Sequence, residues 1–400
     1  MTTFRTTNSY CLMIALALTP AFSMDLSAAP FTFSETSVSR SDDDSSQKNR
    51  KRKKSKKRPK SSKKKKKGKK KAFPKGDREN EFREQLGETY RVHRTDHFFI
   101  MYDVEKSVLK DSIFRLERTY DAVHQFVKEL KFQINYPTEK LPIVLCKDFP
   151  EYSRRCKQFV GQSPPPQAAG LYYRIPFNFC IFYDVSQSRY VKERNVRIRR
   201  LKEESQSARS VRDRNTKKAE ARKLQREVDR YQETMNRSVV QHEVAHQLLF
   251  NFGVHNLKIA SEGRMNPLWF TEGIAAHFEP AQTGEGVNRP NRNRLRAMCD
   301  SLEKGNIPNL KKFVGNPTGG KALLPAEGYA WSWLVTHYLI RRKEKELPRY
   351  VELIKQRKEG DRITPEKDVA DFEECFGKID ERFEKKWQTF ATGYLRRACR

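Results

Sequence analysis

The chain has 400 residues, a net charge of +31 and only 36% hydrophobic residues. That length carries one large or two modest domains with a real core, which excludes a minimal disulfide or metal scaffold. The charge is uneven: Lys48 to Lys71 holds 18 Lys or Arg and no acid, leaving +13 of the +31 for the rest, and so polar a stretch cannot repay its ordering entropy.

Residues 1–23 read as an export signal, with Arg5 in a polar start, an apolar run from Cys11 to Leu18 and a cleavage site at Ala21-Phe22-Ser23. The run is too short to span a bilayer, so the expectation is a secreted, periplasmic or cell-envelope protein. Residues 24–85 are expected to form a disordered linker. Its basic block would tether the chain to an anionic polymer or membrane surface, or serve as a solvated spacer. Apart from Cys11, the six cysteines are widely spaced and form no CxxC pair. Cys375 with Cys399 is the preferred disulfide, with buried free thiols as the alternative.

Residues 86–186 form an expected α/β lobe. His97 to Tyr102 and Leu141 to Cys146 read as buried strands, Val108 to Leu130 as an amphipathic helix, and Gly170 to Arg174 with Phe177 to Tyr183 as a hairpin. Residues 187–237 turn charged and read as an exposed helical insertion whose weakest helical stretch is Arg209 to Asn215. Mixed charge of this kind more often solubilises a helix than binds nucleic acid, which is the disfavoured partner. Residues 238–345 are the helical region of chief interest, with Ser238 and Gln241 spaced as a capping box and Gly253 as a stop. A second helix is expected from Asn266-Pro267 to Phe278. A short helix follows at Leu295 to Glu303 and an apolar helix at Gly328 to Arg341, and residues 346–400 read as two or three amphipathic helices.

The chemistry sits in Gln241-His242-Glu243-Val244-Ala245-His246. On a helix, His242 and His246 project from one face a turn apart, where two imidazoles bind one metal ion. A carboxylate beside them, Glu243, is placed to take a proton from a metal-acidified water. A catalytic zinc needs a third protein ligand. Glu272 lies on the second helix among Gly273, Ala275 and Ala276, small neighbours that permit close approach. His255 is the rival third ligand, disfavoured because Leu249 and Phe252 stand where a three-histidine pattern needs Gly and His.

His242-Glu243-x-x-His246 with downstream Trp269-x-x-Glu272-Gly273-x-Ala275 resembles the gluzincin metallopeptidases. The run from His97 through Tyr338, with Gly170-Leu171-Tyr172 and Tyr329-Ala330-x-Ser332-Trp333, is more closely similar to an uncharacterised bacterial family related to the peptidase MA superfamily. The resemblance implies an α+β, zincin-like fold: a β-sheet lobe packed on the active-site helix, then a mainly helical C-terminal part. It implies Zn2+ held by His242, His246 and Glu272, with Glu243 as general base. Tyr329 is the candidate oxyanion donor, with core packing as its alternative and His277 as a weaker candidate. The expected function is a zinc-dependent hydrolase, a metallopeptidase acting on peptide or protein. The alternatives are an inactive zinc-stabilised module that holds anionic envelope polymers, and a nucleic-acid-binding protein.

Overall fold

A computed structural model describes Ile14–Ala15 and residues 77–399, apart from 167, 175–176, 257–265, 281–289, 320–323 and 359–362. The expected leader, apart from Ile14–Ala15, and the basic block lie outside the described residues. Folded sequence starts earlier than the expected residue 86: α1 (Asp77–Leu86) buries Phe82 and Leu86. Two apolar anchors among eight polar neighbours are too few to stand out from the linker.

One mixed sheet runs in the order β1 (Ile14–Ala15), β5 (Gly170–Tyr173), β6 (Phe179–Tyr183), β4 (Leu141–Cys146), β3 (Phe98–Tyr102) and β2 (Arg91–Arg94). β4 lies parallel to β3 and β6, while β5 and β6 form the expected antiparallel hairpin, Tyr172 opposite Cys180. Every residue of β4 and β6 is buried, as strands covered on both faces require. The strand alternation assigns the covers. Phe179 packs against Phe82 of α1 and Phe159 of α3 (Phe149–Val160). Its neighbour Cys180 turns the other way, to the backbone of α5 (Val211–Asn251) at Glu243.

The helix α2 (Lys106–Glu129) matches expectation, but α3 was not expected. Asp148 and Pro150, which follow β4, start α3: Asp148 accepts from the Glu151 amide, and Gly161 at φ 84° ends the helix. The charged insertion is a helical hairpin of α4 (Arg189–Ser207) and the N-terminal half of α5. Its break falls at 208–210, at the start of the expected weak stretch, whose remainder from Val211 to Asn215 is helical.

The rest is helical: α6 (Leu268–Ala275), α7 (Arg292–Ala297), α8 (Cys299–Glu303), α9 (Leu310–Gly315), α10 (Ala326–Arg342), α11 (Leu347–Lys355), α12 (Pro365–Phe376) and α13 (Glu381–Ala398). The architecture is therefore α+β with a mainly helical C-terminal part. The disulfide joins Cys399 to Cys299, with Cα atoms 5.8 Å apart, rather than to Cys375. Cys375 is a buried free thiol on α12, while the end of α13 reaches α8. Among the described residues no helix is long and apolar enough to cross a membrane.

Candidate metal centre

The helix that carries His242 and His246 does not begin at Ser238. It starts 27 residues earlier, where the Ser210 hydroxyl accepts from the Asp213 amide at 3.0 Å. The run of Lys, Arg, Glu, Gln and Ala between them has high helix propensity and gives no reason to stop. Ser238 instead donates to the Glu279 carbonyl at 3.4 Å. From Ser238 to Phe250 every residue is buried. Two features hold this stretch on the sheet. Gly170 lets it come close, since a Cβ there would lie 2.7 Å from Val239 Cγ1 and 2.4 Å from the Phe182 ring. The Gln247 amide donates to the carbonyls of Pro142 and Asn178 at 3.1 and 2.9 Å.

His242 and His246 then present their Nε2 atoms 2.9 Å apart. Glu272, from α6, brings Oε2 to 3.1 Å from His242 Nε2 and 3.4 Å from His246 Nε2. Gly273 makes that approach possible, because a Cβ at this position would meet the Ser332 carbonyl oxygen of α10 at 2.3 Å. Among the described residues these three side chains form the group that could hold a metal ion, and all are buried. Zinc bonds of about 2.0–2.1 Å at tetrahedral angles separate ligand atoms by about 3.3 Å, so the observed triangle has the size of one tetrahedral face. Its chemistry fits as well. With His242 Nδ1 donating to Glu279, its Nε2 faces a carboxylate oxygen and a second imidazole nitrogen, a donor set that suits a shared cation.

Glu279 was missed in the sequence. Its Oε1 lies 2.9 Å from His242 Nδ1, and Arg294 and Asn291 donate to its carboxylate at 2.5–2.9 Å. Burial opposes ionisation of Glu279, but the Arg294 guanidinium and His242 hold its carboxyl well below the usual range. This fixes the proton of His242 on Nδ1 and leaves Nε2 for a metal. Glu272 is likewise held down against burial by His246 and His242. Spacing offers little sign of this support: Asn291 and Arg294 stand beside Arg292 and Arg296 with no motif to set them apart.

Glu243 is fully buried, and burial pushes its carboxyl up to about 8 despite the pull of His242. Its Oε2 accepts the Tyr172 backbone amide at 2.7 Å, whereas Oε1 has no hydrogen-bond partner among the described residues. One oxygen is thus fixed by β5 and the other is left to receive a proton.

Tyr329 is buried in the first turns of α10, with the Arg294 guanidinium 5.4 Å from its ring centroid. Burial and the Glu272 charge raise its pKa, so the phenol keeps its proton. His255 stands outside the ligand group. It is buried against Phe250 and Phe270, and burial with the nearby His246 pushes it down to about 3. His277 hydrogen-bonds Thr336 Oγ1 at 3.1 Å and packs on Trp333. The second helix, expected from Asn266-Pro267 to Phe278, spans only Leu268–Ala275: Pro267 caps it, and the Asn266 side chain ties to Asn256.

A family model described as "Protein of unknown function (DUF1570)" matches residues 236–360, a span that holds the ligand group, Glu243, Glu279, Arg294 and Tyr329. No curated protein matches the chain.

Proposed function

We propose that the protein is a zinc-dependent hydrolase, a gluzincin-type metallopeptidase, with Glu243 as general base. The observation that carries this reading is the half-satisfied Glu243 carboxylate beside a His2Glu ligand group: a structural metal site has no use for a buried base with one free oxygen. Zinc held by His242, His246 and Glu272 would supply Lewis acidity, polarising a carbonyl and acidifying a water.

The remaining roles belong to the chain. Glu279, clamped by Arg294, holds the His242 ring and its tautomer. The Tyr172 amide orients Glu243 so that Oε1 takes a proton from the water as its oxygen bonds to the carbonyl carbon. The same proton then passes to the amine nitrogen as the C–N bond breaks. Tyr329 is the donor for the negative charge that builds on the carbonyl oxygen. The substrate is a peptide or protein, and the apolar N-terminal run supports action in the envelope or outside the cell.

The test is metal analysis and a broad peptide-library assay on the wild-type chain and Glu243→Gln. Equimolar zinc in both chains is expected, with cleavage lowered about 100- to 10,000-fold in the variant, the usual weight of a general base. A wild-type chain that retains no zinc, or a variant that cleaves as well as wild type, refutes the assignment.

A further inference from the structure

Residues 189–237 carry 17 Lys or Arg against 8 Asp or Glu, so +9 of the +13 outside the basic block sits on the α4/α5 hairpin. The hairpin is a built element. Val191, Ile198 and Val228 form its apolar seam with Leu224 and Tyr231, and Glu204 of α4 ties Lys217 of α5 at 2.6 Å. On α5 a row of five basic side chains, Arg214, Lys218, Arg222, Arg226 and Arg230, recurs every fourth residue. All five are exposed, and none has a carboxylate partner among the described residues. Unlike the acids of α4, which are paired within the hairpin at Glu193 and Glu204, this row has charge to offer a partner.

We propose that this row is an exosite for acidic polypeptide segments, an inference that rests on the peptidase reading in making the bound segment part of a substrate. Three features select that partner. A row at every fourth position turns about 40° per step while rising about 6 Å, so it winds about 160° around α5 over about 24 Å. A flat bilayer cannot touch all five side chains, and no exposed large hydrophobic lies in the row to insert into one. Nor does the row hold an aromatic on which bases would stack, and Glu220 and Asp229 are exposed beside it, opposing a strand with a charge on every residue. An acidic polypeptide spaces its carboxylates and follows a winding row, and the arginine fork matches carboxylates. The location adds a purpose. Arg230 is 12 residues before His242 on one unbroken helix, about 18 Å along its axis and about 120° around it, so a segment docked on the row lies near enough to reach the candidate ligands by passing around the helix.

The test reads binding alone, on full-length chain carrying Glu243→Gln, so it stands or falls without hydrolysis, and the basic block is present in every variant. The probe is a fluorescent 20-residue poly-L-glutamate, followed by anisotropy across a salt series. One chain has the five row positions changed to Gln, a good helix former; a control has Gln at the exposed Lys106, Lys110, Arg118, Lys128 and Lys157. The row variant is expected to bind about tenfold more weakly, as the loss of several exposed ion pairs implies, with a shallower salt dependence. The control should change less than about twofold, because its charges lie elsewhere. Placing Lys at all five positions, which returns the charge without the arginine fork, should recover part of the binding. Equal losses in row and control variants, or a Lys row that binds no better than the Gln row, overturn the proposal. So does a row variant that keeps polyglutamate affinity but loses oligothymidylate or phosphatidylglycerol vesicles.

Discussion

Replacing Gly273 by Ala sets two effects against each other. Alanine is favoured over glycine in a helix by about 1 kcal/mol, and α6 is helical at this position. The added Cβ would lie 2.3 Å from the Ser332 carbonyl oxygen and 2.6 Å from Thr336 Cγ2, where ordinary contact starts at 3.4 Å. The Ser332 oxygen belongs to the backbone of α10 and cannot rotate away, so the two helices must part by about 1 Å. Overpacking of this kind costs about 1–3 kcal/mol, and the upper end applies when the obstacle is backbone. A net loss of about 2 kcal/mol is expected. Glu272 moves with its neighbour, and about 1 Å exceeds the roughly 0.5 Å tolerance of a built site, so metal affinity should fall as well. Gly393→Ala is the comparison: a Cβ there meets only Arg397 Nη1, at 3.8 Å, and the helix gain of about 1 kcal/mol is unopposed. Urea unfolding and chelator competition for zinc on both variants read the two effects. If Gly273→Ala proves as stable as Gly393→Ala, or holds zinc as tightly as wild type, the close packing of α6 on α10 does not set the position of Glu272.

Glu279→Gln keeps the shape of the side chain but removes the charge that orients His242 and neutralises Arg294; zinc affinity should fall about 10- to 100-fold, and chelator competition showing no change would refute the positioning role. His337 supplies a pH test remote from the metal ligands. Its ring is fully buried against Trp333 and Tyr394, and burial with Arg341 pushes it from 6.5 down to about 4. A lowered histidine pKa means the unfolded chain takes up the proton first, so this stability is complete above pH 6.5 and is lost as pH falls toward 4. At 1.36 kcal/mol per pKa unit the loss is roughly 3 kcal/mol. His337→Phe, which keeps a ring in the stack, should flatten the slope of unfolding free energy against pH in that window; an unchanged slope refutes the assignment.

Much of the centre was legible because its signal is local. Two histidines a turn apart specify a face wherever the helix begins, and small residues after Glu272 announce close packing whatever they pack against. The misses share a different cause. The start of α5 was misplaced because a strong helix-forming run upstream overrode a capping pattern at Ser238, and pattern alone cannot show whether a cap is used. α3 was missed although Tyr152, Cys156, Phe159 and Val160 have the i, i+4, i+7, i+8 spacing of an amphipathic helix, because a charged residue, Arg155, shares their buried face. Arg155 shows the difficulty: it is buried, held by Glu151 and by the carbonyls of Gln85 and Leu86. The Glu279–Arg294 support and the Cys299–Cys399 bond depend on which distant segments meet, a fact carried by tertiary packing rather than by spacing.

The unbroken α5 also gives the chain a rotational phase. The helix extends about 60 Å, with the charged row at one end and His242 and His246 at the other. One residue inserted between Arg230 and Ser238 would leave both ends intact, yet swing the row about 100° around the axis relative to the metal-binding face. Seven residues would nearly restore the alignment, about 20° short, while lengthening the rod by about 10 Å. Chains of this design can therefore vary the reach of the arm in heptad steps far more freely than in single residues.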